Sequence, residues 1–538
     1  MSLLALVFGA ALLGVSGATE PPQTIEWGSC DETLSAIGNL PIECGNLTVP
    51  LDYLDAESNS TLDLPLLRVP ALKQPAKGSI IFHYGGPGPG GRESMALFGE
   101  LMQVMTGQGF DLVSWDQRGT VDVMPFSCFN STADRENSPG YHANLGVTPR
   151  DTAELGRNWA LGSVEAQACY EYAKDRGTEL LGTVYTVRDV KQMVDALGGD
   201  QMLRFWGLSY GTVVGATFAA MYPDKVESIV LDGVQNLHEY YYGNSIEILA
   251  DTDKVFSAFL RTCFERPELC DLAKHNPNAT FTMIEGQIYD KIDAYKLRPL
   301  AFTHEELQGQ ILDHVFIKAM IRPRLYAPGN YPILANLLHL LLSDDIEAFS
   351  EAYVAALVSV GAVFTGGLGN EAAAAIPCSD HEFRTDDLDV ALPHIDRLVQ
   401  TSRLFGDVLS WNTHVCAQWK LPTKERFERG FHEPIDTANP LLIIGNEYDV
   451  VTPYVSAQNA SASFPGSALV KYDAHGHSTP QQPSLCTARL TRAYFEDGEL
   501  PADGTVCEPA VPHPWDPQSW LALYPELGYD RQNSTRKM

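Results

Sequence analysis

The segment from Leu203 to Ala220 joins two runs of different character through Gly207-Leu208-Ser209-Tyr210-Gly211. Before the pentapeptide, Leu203, Phe205 and Trp206 read as a strand. After it, Thr212-Val213-Val214-Gly215-Ala216-Thr217-Phe218-Ala219-Ala220 reads as a helix whose small residues permit close packing on a sheet. A serine hydroxyl is a weak nucleophile unless a sharp strand-to-helix turn exposes it and a base takes its proton, and glycines two positions to either side permit that turn. An isolated G-x-S-x-G is a common coincidence, and a glycine-bounded turn explains many of them. The strand before and the helix after make Ser209 a candidate nucleophile here.

Such a serine calls for a carboxylate and then a histidine further along the chain, each at a strand end. Pro440-Leu441-Leu442-Ile443-Ile444-Gly445 is a short buried-strand signal, and Asp449 lies just beyond it. Glu447 competes for the same role, and Asp473 is a weaker competitor. The last strand is expected over Ser467 to Tyr472, followed by Ala474-His475-Gly476-His477-Ser478. His477 is the favoured base, because the loop must turn tightly at Gly476 to bring an imidazole over the serine; His475 is the alternative. The H-x-H pair also resembles part of a metal site, but no further ligand stands nearby at zinc-like spacing. Gly78 to His83 reads as a strand leading into Tyr84-Gly85-Gly86-Pro87-Gly88-Pro89-Gly90-Gly91. Glycines there let backbone N–H groups approach a developing oxyanion, and the second donor is expected from Tyr210, the residue after the nucleophile. A phosphate-binding loop is disfavoured, since the G-K-[ST] ending is missing and prolines stand where a helix would begin.

These residues resemble the prolyl and tripeptidyl aminopeptidase family of α/β-hydrolases, including its TAP-like C-terminal portion. The resemblance runs from Ile25-Glu26-Trp27 and Cys44 to Tyr53 through Gly85-Gly86-Pro87-Gly88, Asp116-Gln117-Arg118-Gly119-Thr120 and Gly207 to Thr212. It continues in Val230-Leu231-Asp232-Gly233-Val234, Ala375 to Asp380, Asp449 with Thr452-Pro453, and Gly476-His477. It implies Ser209 as nucleophile, Asp449 as acid, His477 as base, and Gly86 with Tyr210 as oxyanion donors. It also implies recognition of a free α-amino group, for which Asp380 and Glu239 are the candidate carboxylates. Two positions depart from the family pattern: Pro89 interrupts the glycine loop, and Val121 stands where glycine is usual. Both flank the substrate cleft in such folds.

Leu3 to Val15 is an apolar run ending in Ser16-Gly17-Ala18, which reads as a signal peptide over residues 1–18 despite its missing positive start. Ten cysteines suit a stapled secreted enzyme. Their connectivity is not readable from sequence, but pairing neighbours suggests Cys30–Cys44, Cys128–Cys169, Cys263–Cys270, Cys378–Cys416 and Cys486–Cys507. Sequons at Asn46, Asn59, Asn130, Asn278, Asn459 and Asn533 add to the expectation of a secreted glycoprotein. The formal charge of −31 argues against nucleic acid, whose phosphates this surface would repel. Ala352 to Asn370 carries no charge, yet its glycines make a buried lid helix with a glycine-rich exit a better reading than a membrane span.

The expected fold class is α/β: a mostly parallel sheet flanked by helices, with a large, mainly helical cap inserted before the acid-bearing strand. The core begins at residues 19–232, where Val187, Val190, Met193, Val194 and Leu197 recur at helical spacing before the nucleophile. A polar stretch around Pro139-Gly140 precedes that helix. The 208 residues from Gly233 to Pro440 far exceed the single crossover helix that a minimal fold needs. Within them Val255, Phe256, Phe259, Leu260, Cys263 and Phe264 share one helical face, as do Leu334, Leu337, Leu338 and Leu341. The cap is placed at 233–400, the returning core at 401–510 and a tail without assigned function at 511–538. The expected activity is that of a secreted, monomeric serine hydrolase without metal or organic cofactor, acting on a peptide or small acyl substrate, with aminopeptidase the leading reading. An esterase or thioesterase on a secondary metabolite is the alternative, and a non-catalytic binding protein on the same fold is the second.

Overall fold

A computed structural model of the chain describes residues 24–131, 134–135, 152–307, 310–364 and 369–531. The expected signal peptide, the Pro139-Gly140 stretch and the Asn533 sequon lie outside these residues. A ten-stranded sheet organises the rest. Its strands are β1 (Gly28–Ser29), β2 (Glu43–Pro50), β3 (Thr61–Val69), β4 (Ser79–His83), β5 (Asp111–Trp115), β6 (Leu203–Leu208) and β7 (Val226–Asp232). A separate two-stranded ribbon holds β8 (Leu300–Ala301) and β9 (Ile311–Leu312), and the large sheet resumes with β10 (Leu442–Tyr448), β11 (Ala468–His475) and β12 (Val506–Cys507). The order across the sheet is β1-β2-β3-β5-β4-β6-β7-β10-β11-β12. Pairings among β1, β2, β3 and β5 are antiparallel, and all those from β5 onward to β12 are parallel.

The central parallel strands β4, β6, β7 and β10 are buried with little alternation because helices cover both faces, whereas β11, nearer the sheet edge, alternates. Phe205 and Leu231 point into one core with Val187, Val190 and Val213, while Trp206 and Val230 point into the other with Met95, Met102 and Phe495. The first face carries the helices Thr183–Leu197 and Tyr210–Met221, the second Gly91–Met105 and Leu485–Asp497. Parallel strands place all their C-terminal ends along one edge, and the crevice beyond that edge is where sheets of this kind hold ligands. Here the edge carries His83, Ser209, Asp232, Asp449 and His477, contributed by β4, β6, β7, β10 and β11.

Between β7 and β10 a helical layer builds its own core around Phe256, Phe259, Leu334 and Leu338, using the helices Thr252–Phe264 and Tyr331–Leu342. That core also takes in Val450 and Val451, which flank the acid candidate, so the helical layer and the sheet edge share packing. Of the uncharged run from Ala352, the residues up to Phe364 lie in the helix Ile346–Phe364, whose Phe349 and Ala356 are buried and whose Leu357 is exposed, so its first turns lay one face on the helical core. The expected glycine-rich exit at 365–368 lies outside the described residues. No helix among the described residues is long and apolar enough to cross a membrane.

The stretch from 511, expected as a tail without assigned function, packs on the core as far as Tyr529. Trp515 packs into the helical-layer core and donates to Thr262, while Leu523, Tyr524, Leu527 and Tyr529 pack on the outer face of the sheet. Their side chains cover apolar surface on the helix Gly91–Met105 that would otherwise face water. All ten cysteines are bridged, as Cys30–Cys44, Cys128–Cys169, Cys263–Cys270, Cys378–Cys416 and Cys486–Cys507. Asn46, Asn59, Asn130 and Asn278 are exposed. Asn459 instead sits on the helix Tyr454–Ser463 with its amide donating to Glu247 at 2.7 Å, a contact that a glycan would break.

Candidate active site

β6 ends at Leu208 and the helix Tyr210–Met221 begins two residues later, which leaves Ser209 alone to turn the chain. Its φ of 55° and ψ of −123° are a conformation that L-residues avoid, at a cost of about 1–3 kcal/mol met by the surrounding structure. Each flanking glycine is there for space. A Cβ on Gly207 would lie 2.2 Å from the Gly211 carbonyl, and one on Gly211 would lie 2.3 Å from that of His83. The Ser209 N–H donates to the Asp232 carbonyl at 3.1 Å, and its own carbonyl accepts from Thr212 N–H at 2.8 Å. The turn is thereby pinned on both sides.

The glycine loop after β4 lies directly against this turn. An ideal Cβ on Gly85 would meet the Leu208 carbonyl and the Ser209 Cβ at 2.7 Å, and Tyr210 N at 3.3 Å, with φ at +91°. Tyr210 is the first helical residue, so its N–H has no intrahelical acceptor and is available to an anion. Gly86 has φ +97°, and a Cβ there would collide with Pro89 at 2.5 Å. The two departures from the family pattern sit together. Val121 holds a left-handed φ of 49°, and its Cγ2 stands 3.3 Å from where Gly90, the residue after Pro89, would carry a Cβ. Gly85→Ala is expected to reduce kcat by about 10²-fold or more, the scale of losing one oxyanion donor. Steady-state kinetics alongside a thermal melt check it, and undiminished kcat would separate the loop from the chemistry.

Asp449 and His477 meet beyond the ends of β10 and β11. The His477 Nδ1 lies 2.9 Å from Asp449 Oδ2 and 3.1 Å from Oδ1. The carboxylate also accepts from the backbone of Val451 at 2.8 Å, Thr452 at 2.9 Å and Ser478 at 3.2 Å, and from the Thr452 hydroxyl at 2.7 Å. Complete burial would raise its pKa, but His477 and these hydrogen bonds outweigh burial and hold it below the usual range. On its far side the His477 ring packs edge-on against Tyr326 at 5.3 Å, and the backbone N–H of His477 donates to the Tyr326 carbonyl at 2.8 Å, so the helical layer braces this histidine. The Cε1 edge lies 3.4 Å from where Gly233 would carry a Cβ, next to the Asp232 carbonyl that holds Ser209. Ser209, His477 and Asp449 therefore line one short stretch of sheet edge.

The competing residues are placed elsewhere. Glu447 is gripped by Lys254 at 2.8 Å and Lys471 at 2.9 Å, and Asp473 is exposed. His475 is buried, stacked on Tyr448 and bonded through Nδ1 to the Tyr331 hydroxyl, with its pKa pushed down to about 3 by burial. The two carboxylates expected to meet an α-amino group each have partners within the chain. Asp380 is buried and accepts from Thr183 N–H at 3.0 Å, the Thr183 hydroxyl at 2.5 Å and Tyr240 OH at 2.9 Å, closing the first turn of the helix Thr183–Leu197. Burial raises its pKa to about 6. Glu239 is half-buried and accepts the Glu247 N–H at 2.6 Å.

Sequence reasoning did not single out Asp232 as a working residue. Its Oδ1 accepts Thr479 N–H at 3.0 Å and its Oδ2 the Thr479 hydroxyl at 2.6 Å, which ties the loop bearing His477 to the strand beside Ser209. The signal was present as a carboxylate closing an otherwise apolar strand, Val226–Asp232. Arg118 was likewise noted only as part of a motif. It is fully buried and grips Asp189 with Nε at 2.8 Å and Nη2 at 2.6 Å, so its role is to hold the turn after β5.

A strained serine on a strand-to-helix turn, facing a glycine loop and a buried Asp–His pair, defines the serine hydrolases of α/β architecture. Residues 78–276 match the α/β hydrolase fold family model and residues 402–507 the TAP-like protein model. The chain is an α/β hydrolase with a TAP-like C-terminal portion, a serine peptidase-type hydrolase. It is 26% identical to a tripeptidyl aminopeptidase of Streptomyces lividans, over 91% of this chain and 88% of that one. It is 24% identical to the serine protease Hip1 of Mycobacterium tuberculosis, over 94% and 96% respectively. An α/β hydrolase from a deep-sea metagenome library aligns with 82% of this chain and 96% of its own at 13% identity, with a TM-score of 0.33.

Proposed function

We propose that this chain is an aminopeptidase acting outside the cell, with Ser209 as nucleophile, His477 as general base and acid, and Asp449 as the residue that fixes the imidazole. The observation that carries the reading is the Asp449–His477 pair beside the elbow of Ser209. Asp449 accepts the Nδ1 proton, which leaves Nε2 as the lone pair for the Ser209 hydroxyl. Ser209 attacks the acyl carbon, and the N–H groups of Gly86 and Tyr210 receive the oxyanion. His477 returns the proton to the leaving amine, and water then repeats the sequence on the acyl-enzyme. The helical insertion, placed over 233–400, roofs the crevice and favours short terminal segments over long chains. Five disulfides support an oxidising location.

The N-terminal preference draws on the named relatives, since Asp380 and Glu239 have internal partners. It is tested by comparing one tripeptidyl amide with a free N-terminus against its acetylated form. Acetylation is expected to lower kcat/KM by about 10²-fold or more, the scale of leaving buried polar groups unpaired. Equal cleavage of both forms would overturn amine recognition, and fast turnover of acyl esters alone would move the reading to an esterase.

A further inference from the structure

His83 closes β4 in register with Gly207 of β6, so its backbone stands beside the nucleophile turn. Its side chain is buried and packed edge-on against Trp115 at 5.3 Å and Tyr210 at 5.4 Å. Both ring nitrogens are engaged. Gly85 N–H donates to Nδ1 at 3.1 Å, and Nε2 meets the Gln117 Oε1 at 2.5 Å. These contacts determine the proton's place. A nitrogen that accepts an N–H must carry a lone pair, so Nδ1 is unprotonated, and the proton sits on Nε2 and is donated to Gln117. The ring is therefore neutral when the loop is in this geometry.

We propose that His83 is a positioning residue for the oxyanion pocket: its neutral imidazole, oriented by Gln117, pins the Gly85 amide and leaves the next one, Gly86 N–H, to the oxyanion. This rests on the reading of Ser209 as nucleophile. The choice of glutamine at 117 has a chemical reason. A carboxylate there would favour the imidazolium, whose Nδ1–H would face Gly85 N–H, two donors with no acceptor between them. Burial holds the His83 pKa down to about 4 against the opposing pull of Gln117, and no charged side chain contributes to that shift. The groups that face the ring are Trp115 and Gln117 from β5 and the turn after it, the Tyr210 phenol from the following helix, and the backbone of Gly85 and Gly211. Asp116, the neighbour of Gln117, is paired with Arg92 at 2.6 Å.

Three variants test this on a peptide amide substrate and on a peptide boronic acid, which forms a tetrahedral adduct with an active serine. His83→Phe keeps the ring and removes the acceptor. Its kcat is expected to fall by about 10²–10³-fold, the scale of an oxyanion donor, with KM changed less than threefold and boronate affinity lost in step with kcat. His83→Asn, which restores an acceptor near the Nδ1 position, is expected to recover at least tenfold of that loss. Gln117→Glu is expected to shift the acidic limb of the kcat–pH profile upward by one unit or more, a readout that does not depend on whether His83→Phe folds. A His83→Phe enzyme with undiminished kcat and boronate affinity, or a Gln117→Glu profile superimposed on that of the wild type, would overturn the proposal. Ser209→Ala run beside them separates the two levels: turnover surviving in that variant rejects the serine reading itself, whereas its loss together with an unaffected His83→Phe rejects only the role of His83.

Discussion

Ser209→Ala is expected to fold as the wild type does, to lose about six orders of magnitude in kcat, and to take no label from a fluorophosphonate probe. The magnitude follows from the way nucleophile, base and acid act as a unit, so that removing the nucleophile alone forfeits nearly the whole contribution of the three. Folding should survive for a structural reason. The conformation of Ser209 is imposed by its N–H on the Asp232 carbonyl, by Thr212 on its own carbonyl, and by the close packing of Gly207 and Gly211. None of these contacts uses the hydroxyl. Alanine inherits the same φ of 55° and a similar strain, so the melting temperature should move by no more than a few degrees. Labelling of the variant at the wild-type rate would mean that another serine is the nucleophile and that the elbow is only a tight turn.

Much of this site was legible because its determinants are local. The elbow needs two glycines and a strand and a helix on either side, all within Leu203 to Ala220. The apolar runs of β4, β6, β7 and β10 were readable for the same reason, since strands buried on both faces carry no polar face to confuse the pattern. What stayed hidden depends on partners far along the chain. Asp380 was a candidate for amine recognition through the family-like segment it stands in, and nothing near it in sequence shows that it bonds Thr183, 197 residues away, and Tyr240, 140 away. Thr479 is tied to Asp232 across 247 residues, and no spacing rule announces such a lock. The C-terminal stretch reads in sequence as a tail without assigned function, although Trp520, Leu523, Tyr524 and Leu527 recur at helical spacing; what the spacing does not show is the surface they cover. They fit a surface already made by the helix Gly91–Met105 and the strands beneath it. His83 and Gln117 are legible only as a pair, since the tautomer argument needs both ring contacts.

Asp449→Asn is expected to lower kcat by about 10⁴-fold, as wrong-tautomer variants do, while Glu447→Gln stays within threefold of the wild type. Five donors converge on the two oxygens of Asp449: three backbone N–H groups, the Thr452 hydroxyl and the His477 Nδ1–H. An asparagine offers one oxygen and one NH₂ group, so whichever way it turns, at least two donors face another donor. If the NH₂ faces His477, Nδ1 must become the acceptor and Nε2 the proton carrier, and the lone pair needed by Ser209 is gone. The same crowding of donors explains the pH behaviour. The carboxylate pKa is depressed below 3.8, so the stability it contributes is complete above that value and is lost only as pH falls through the lower folded-state value. Asp449 is therefore ionised at every pH above the ordinary carboxylate value, and an acidic limb of activity lying above that value does not belong to this carboxylate. Glu447 stands two residues earlier, within the end of β10, with opposite surroundings, its oxygens taken by Lys254 and Lys471 at the rim, where an ion pair is worth at most about 1 kcal/mol. Measuring kcat for both variants at pH 8 decides between them: a Glu447→Gln enzyme more damaged than Asp449→Asn would move the acid two residues upstream and take the His477 geometry with it.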